Sequence, residues 1–375
     1  MAAATLCALA AVHAPLERVL LHQQATAVGA ALLLCVALAT IRVPSSWRRG
    51  PVAASSAVGV LVVLAVGEVV AETVAGPLTW LDNDTAWTRQ ATGPARSLLG
   101  TAWTGSWYVP LTLGLLVMAS VTVIVRLPRS RPALAALGAP AALAAATVLT
   151  VPLAADAPYL SAVAAGIASG CVLAVVGARQ RRPVPGIALA TTGAVLVGHG
   201  LVWSLAARTA TLLALGLALA GALAAFAADR RASRPLPVAA VALLAVAGAY
   251  VALRALDAPA DRAGFGAVVV AGIVGVGAGL LARPVERLAV EASAVIAGVA
   301  AFVPVLDDPG WTSHTLLAAG VATALVAVRA DRHQVGWASG LLLTLSSWVR
   351  LAIEDVNAPE AYTAGPPSPC SSLAT

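Results

Sequence analysis

The sequence predicts an all-α fold, a polytopic transmembrane helical bundle of about twelve spans, and three observations lead to it. Of the 375 residues 60% are apolar and only 11% charged, where an ordinary soluble domain carries about a quarter charged residues. Apolar runs of roughly 16 to 22 residues recur along the chain, long enough to cross a hydrocarbon layer about 30 Å thick. The basic residues, all 23 of them Arg, gather in alternate connections between those runs. Lipid is the solvent such a composition requires, so the bilayer is the expected partner and the cell membrane the expected location. The absence of Lys beside abundant Ala, Gly, Val and Pro points to the codon usage of a GC-rich genome and carries no chemistry.

The chain divides into an outer N-terminal segment (1–24), a transmembrane domain (25–352) and an outer tail (353–375) of disordered composition. Residues 1–12 are apolar but lack the basic stretch that opens a signal peptide. As a helix they would cover only about 18 Å, so they read as an interfacial or incomplete helix, with cleavage as the second reading. The spans follow at 25–41, 51–70, 109–125, 132–153, 159–177 and 185–206, then at 209–227, 235–256, 263–282, 288–305, 315–328 and 335–352. Most connections are short; 77–108 is a long outer loop with four tryptophans, Trp80, Trp87, Trp103 and Trp107, expected to lie along the headgroups as short interfacial helices.

Charge sets the orientation, because basic residues flanking spans are retained on the cytoplasmic side. One set of connections holds 16 of the 23 Arg and only four acids (Asp229, Glu286, Glu291, Asp331), while the other holds seven Arg and 13 acids. The first set is therefore read as inner, and both termini face out. Trp and Tyr favour the headgroup level, and all but Trp47 and Trp337 fall at the outer ends.

The outer turns also repeat in wording. Asp156-Ala157-Pro158, Asp257-Ala258-Pro259, Asp307-Asp308-Pro309 and Asp355 to Pro359 place their prolines 101, 50 and 50 residues apart. Inner Arg clusters begin at 126, 179, 230, 283 and 329, in step with them. The expected unit is a helical hairpin of about 50 residues, duplicated in parallel orientation because it holds an even number of spans. Bilayer thickness plus short loops would produce a similar period without duplication.

The stretch Ser346-Ser347-Trp348-Val349-Arg350-Leu351, with Ala358-Pro359-Glu360-Ala361-Tyr362-Thr363, resembles a segment of long, Ala-rich, uncharacterised actinobacterial membrane proteins often labelled permeases. The resemblance implies a further apolar helix after Thr363; here Ala364-Gly365-Pro366-Pro367-Ser368-Pro369 follows instead, so a truncated or frameshifted member is expected. It brings no catalytic residues to carry over.

Ionisable groups inside a bilayer are functional candidates by default. His199, between Gly198 and Gly200 in the sixth span, could hold a proton or polar ligand, or simply hydrogen-bond a neighbouring helix. Glu68 and Glu72 stand one helical turn apart and could share a proton or meet a cation, or merely reach headgroup water. Asp82 and Asp84 in the long loop could serve as base or metal ligand for an enzyme acting on lipid-linked substrates at the outer face. Glu291 is expected to pair with Arg287, and the Gly166/Gly170 and Gly275/Gly279 spacings suit close helix packing. Cys7, Cys35, Cys171 and Cys370 have no metal-ligand spacing, no cofactor fingerprint is present, and topology explains the Arg clusters without nucleic acid. Permease-like transport, an outer-face enzyme and a non-catalytic scaffold or decayed fragment are the three functions the residues leave open.

Overall fold

The computed structural model describes residues 2–17, 20–81, 86–99, 103–126, 138–180, 183–228 and 235–356. These form fourteen α-helices joined by turns and short 3-10 segments, with no β-strand among the described residues. Backbone groups that cannot reach water must satisfy one another locally, which is why the apolar runs become helices. The chain forms two compact units, Met1–Arg230 and Arg231–Thr375.

In the first unit the helices are α1 (Ala2–Glu17), α2 (His22–Ala39), α3 (Ser45–Ala65), α4 (Gly67–Ala75), α5 (Tyr108–Arg126), α6 (Gly138–Ala154), α7 (Tyr159–Arg179), α8 (Pro183–Ser204) and α9 (Arg208–Ala228). Helix α1 packs on its neighbours: Leu9 is buried with Ala30, Leu33, Val62 and Leu116 of α2, α3 and α5. The run expected as one span over 51–70 is two helices, broken at Val66 (φ −99°, ψ 0°), with Gly67 opening the second. Helices α7 and α8 approach closely through glycine. A Cβ on Gly193 would lie 2.4 Å from the Gly170 carbonyl oxygen, and one on Gly177 would lie 2.7 Å from that of Gly186. Of the two spacings noted in the sequence, Gly170 therefore serves packing inside the chain, while Gly166 meets no neighbour at that distance.

The second unit holds α10 (Pro235–Ala255), α11 (Ala260–Gly277), α12 (Pro284–Phe302), α13 (Pro309–Ala327) and α14 (Gly336–Ile353). Val246, Ala267, Val268, Ala271 and Ala301 form its core. Gly264 lets α11 meet α12, since a Cβ there would stand 2.6 Å from the Ala301 carbonyl oxygen. Helices α13 and α14 are joined by buried serines: Ser346 Oγ donates to the Ser313 carbonyl (2.8 Å), Ser313 Oγ to the Ser346 carbonyl (3.1 Å) and Ser339 Oγ to the Gly320 carbonyl (2.9 Å).

Among the described residues, eight helices are long and apolar enough to cross a membrane: α2, α3 and α7 to α12. Their outward faces are apolar as well. Val285, Leu288, Val295, Ile296, Val299 and Val303 all stand exposed along α12 and the 3-10 turn that follows it, a surface suited to acyl chains and costly in water.

The repeated Asp turns share a conformation in three of four cases. Asp156, Asp257 and Asp355 adopt left-handed backbone, with φ of 52°, 60° and 51°. In each, the Asp amide and the following amide bond back to the carbonyls three and five residues earlier, as in Asp156 to Leu153 (3.2 Å) and Ala157 to Pro152 (2.9 Å). This is the two-bond stop of a helix whose C′ residue is left-handed. The Asp307-Asp308-Pro309 turn uses its acid differently: Asp308 caps α13, its carboxylate accepting from the Trp311 amide at 3.1 Å.

Candidate functional site

The candidate residues whose positions are described gather at one end of the first unit, where the loop between α4 and α5 folds back over the helices. Its backbone is stitched to two turns. Trp87 N donates to the Leu205 carbonyl (2.8 Å) and Arg89 N to that of Ala206 (3.1 Å), at the α8–α9 turn. Ala95 N donates to the Ala157 carbonyl (2.8 Å) and Tyr159 N to that of Gly93 (3.0 Å), at the α6–α7 turn, where Arg96 also pairs with Asp156 at 2.9 Å. On the α2 side, Gln23 Nε2 donates to the Thr104 carbonyl (3.3 Å) and Ser106 Oγ to Gln23 Oε1.

Tryptophans fix the underside of this lid. Trp80 Nε1 (3.2 Å) and Trp203 Nε1 (2.7 Å) both donate to the Leu98 carbonyl. Trp103 Nε1 donates to Thr73 Oγ1 (3.1 Å), and Trp87 Nε1 to Thr211 Oγ1 (2.9 Å). Three of the loop's four indole N–H groups thus find acceptors within the protein. Trp107 alone of the four is largely exposed.

Beneath the lid, His199 of α8 reaches across to α4. Its Nε2 lies 2.9 Å from the Thr73 carbonyl oxygen. A carbonyl only accepts, so this nitrogen carries the proton and donates it. Nδ1 is buried and has no partner. The ring meets Trp203 edge to face, centroids 6.0 Å apart, and Trp203 meets Tyr159 in the same way at 5.7 Å. Tyr159, fully buried, donates its hydroxyl to the Trp203 carbonyl at 2.6 Å.

Thr73 thus links several of these elements: its hydroxyl donates to the Val69 carbonyl (2.8 Å) and accepts Trp103, while its carbonyl accepts His199. Its neighbour Glu72 accepts from Thr104 N (3.2 Å) and Thr104 Oγ1 (3.3 Å). Glu68, one turn earlier, is exposed. The two glutamates therefore divide their roles, one holding the lid and the other facing outward. Asp82 and Asp84 lie outside the described residues, so the outer-face enzyme rests on the sequence alone. No group of three or more His, Cys, Asp or Glu among the described residues could hold a metal ion.

Sequence reasoning found His199 and Glu72 but missed what joins them, Thr73, Trp203, Tyr159 and the Leu98 carbonyl. One signal was available, since Trp203 follows His199 by four residues and so shares its helix face. The carbonyls carry no sequence signal. Compared with models of protein families, with curated proteins and with solved structures, the chain matches none.

Proposed function

We propose that the chain is a permease-like protein of the cell membrane, in which a polar solute is recognised at His199 beneath the Trp-rich lid. The observation that carries this reading is the His199 ring, with Nε2 committed to Thr73 and Nδ1 buried without a partner. Buried polar atoms are nearly always hydrogen-bonded, and an imidazole on a span is costly to keep without a use. The lone pair of Nδ1 suits a hydroxyl or amine donor of a solute.

The proposed topology has twelve spans: the eight long apolar helices plus α5, α6, α13 and α14, with α3 and α4 counted as one. The Arg-rich connections face the cytoplasm and both termini face out. The left-handed Asp shared by three turns supports duplication of a helical hairpin. The resemblance of 346–363 to actinobacterial proteins labelled permeases agrees with the transport reading.

The test uses the purified full chain in liposomes, with flux and thermal shift measured over a panel of hydroxyl- and amine-bearing solutes. At least one solute is expected to move or to raise the melting temperature, and His199→Leu to abolish the effect while still inserting. Absence of flux and shift across the panel contradicts transport. An unchanged response in His199→Leu contradicts the site.

A further inference from the structure

The Arg-rich end of the second unit holds a row of charges that the orientation rule counts as free but that in fact engage one another. Arg287 Nη1 donates to Asp331 Oδ2 (3.0 Å), which also accepts Arg329 Nη2 (3.3 Å). Arg329 Nη1 donates to Glu291 Oε1 (2.7 Å), and Arg332 donates through Nε and Nη2 to Glu291 Oε2 (both 2.9 Å). The order is Arg287–Asp331–Arg329–Glu291–Arg332, alternating in sign along its whole length. Arg287 was expected to pair with Glu291 one turn away; it is taken instead by Asp331 and by the Leu281 carbonyl (3.0 Å).

The row ties one helix to one connection. Arg287 and Glu291 belong to α12, while Arg329, Asp331 and Arg332 lie in the turn between α13 and α14. Both carboxylate oxygens of Glu291 are occupied, and its side chain is only 13% exposed. Asp331 is held below the usual carboxylate range, chiefly by the hydrogen bond from Arg329 and then by that from Arg287. Burial opposes the Arg329 cation, but the bonds from Glu291 and Asp331 outweigh it and raise its pKa.

Deeper layers of the unit are held by different means, by Gly264 against Ala301 and by the serine–carbonyl bonds between α13 and α14. The charged end can therefore separate without dismantling the helices. We propose that Glu291 is the hub of an electrostatic clasp that holds this end of the second unit shut, and that its release frees the α13–α14 turn from α12 as a local opening. The proposal concerns this unit alone and does not depend on the His199 site.

Gly279 provides a reporter, because a Cβ built there lies 3.4 Å from Arg329 Cδ, beneath the clasp. The experiment uses the full chain in detergent, with Cys7, Cys35, Cys171 and Cys370 replaced by Ala, and measures the rate of thiol labelling at three substituted positions. Gly279→Cys reports the clasp, Val328→Cys is the exposed reference and Ser339→Cys, at a buried α13–α14 contact, reports the bundle. Glu291→Gln is expected to accelerate labelling at 279 by about 10-fold or more, since it leaves Arg332 without an anionic partner and Arg329 with Asp331 alone, while 328 and 339 keep their rates. An unchanged rate at 279, or a rate there already equal to that at 328 in the parent, overturns the clasp. Acceleration at both 279 and 339 overturns it too, because the ion pairs would then be holding the whole unit. Should Glu291→Gln fail to fold, Arg332→Gln, which leaves Glu291 paired with Arg329, is expected to give an intermediate rate at 279, and an unchanged rate in that variant equally overturns the clasp.

Discussion

Tyr159→Phe removes a single oxygen from the fully buried ring at the centre of the candidate site, and its consequence follows from the local bonding. The lost interaction is the 2.6 Å donation to the Trp203 carbonyl. That carbonyl is not orphaned, because it still accepts the Ala206 amide at 3.3 Å. The ring keeps its volume and its edge-to-face contact with Trp203. Neither a cavity nor an unsatisfied acceptor adds to the loss, so the cost is that of one net hydrogen bond, about 1 kcal/mol. Trp203→Phe must cost more. It removes the 2.7 Å donation to Leu98, weakens two aromatic contacts and leaves a void, together about 2 to 4 kcal/mol. The assay is unfolding of the full chain in detergent, alongside protease cleavage within the lid. Tyr159→Phe is expected to lower the transition slightly and leave the lid protected, while Trp203→Phe lowers it further and exposes the lid. Equal losses from the two variants, or a loss above about 3 kcal/mol from Tyr159→Phe, would refute the reasoning that the Trp203 carbonyl keeps a second donor.

Two further outcomes follow from backbone geometry. Gly193→Ala forces a Cβ to 2.4 Å from the Gly170 carbonyl oxygen, so α7 and α8 must separate, and a loss of about 1 to 3 kcal/mol is expected in the same unfolding assay. Asp355→Gly relieves a left-handed Asp and is expected to stabilise by about 0.5 to 1 kcal/mol, whereas Asp156→Gly gains less because it also breaks the 2.9 Å pair with Arg96.

The helices were legible because lipid leaves an apolar run one way to satisfy its backbone. What escaped were interactions between residues far apart in sequence. Trp203 and Leu98 are 105 residues apart, and Arg329 is 38 from Glu291, so neither contact has a local signature. The nearer pairing of Glu291 with Arg287 looked better by helical spacing but lost to a longer-range neutralisation. Interfacial tryptophan was a sound reading of the loop's composition. Which acceptor an indole N–H finds depends on tertiary placement: Trp80 reaches the Leu98 carbonyl, Trp87 the Thr211 hydroxyl and Trp103 the Thr73 hydroxyl. The Asp turns were recognisable as words, yet Asp serves equally as a left-handed C′ residue and as a helix cap. Asp156 and Asp308 consequently share spelling without sharing geometry. His199 was found because an ionisable group in an apolar run is conspicuous, but its partner is a backbone carbonyl, which any residue could have supplied.

The most direct test of the spanning arrangement is cysteine labelling in intact cells with a membrane-impermeant thiol reagent, in a background free of the four native cysteines. Thiols introduced at Asp156, Asp257 and Asp307 are expected to react, and those introduced at Arg181, Arg231 and Arg287 to react only after the membrane is permeabilised. Labelling of the second set alone contradicts the orientation, and labelling of both sets before permeabilisation contradicts the membrane-spanning bundle itself.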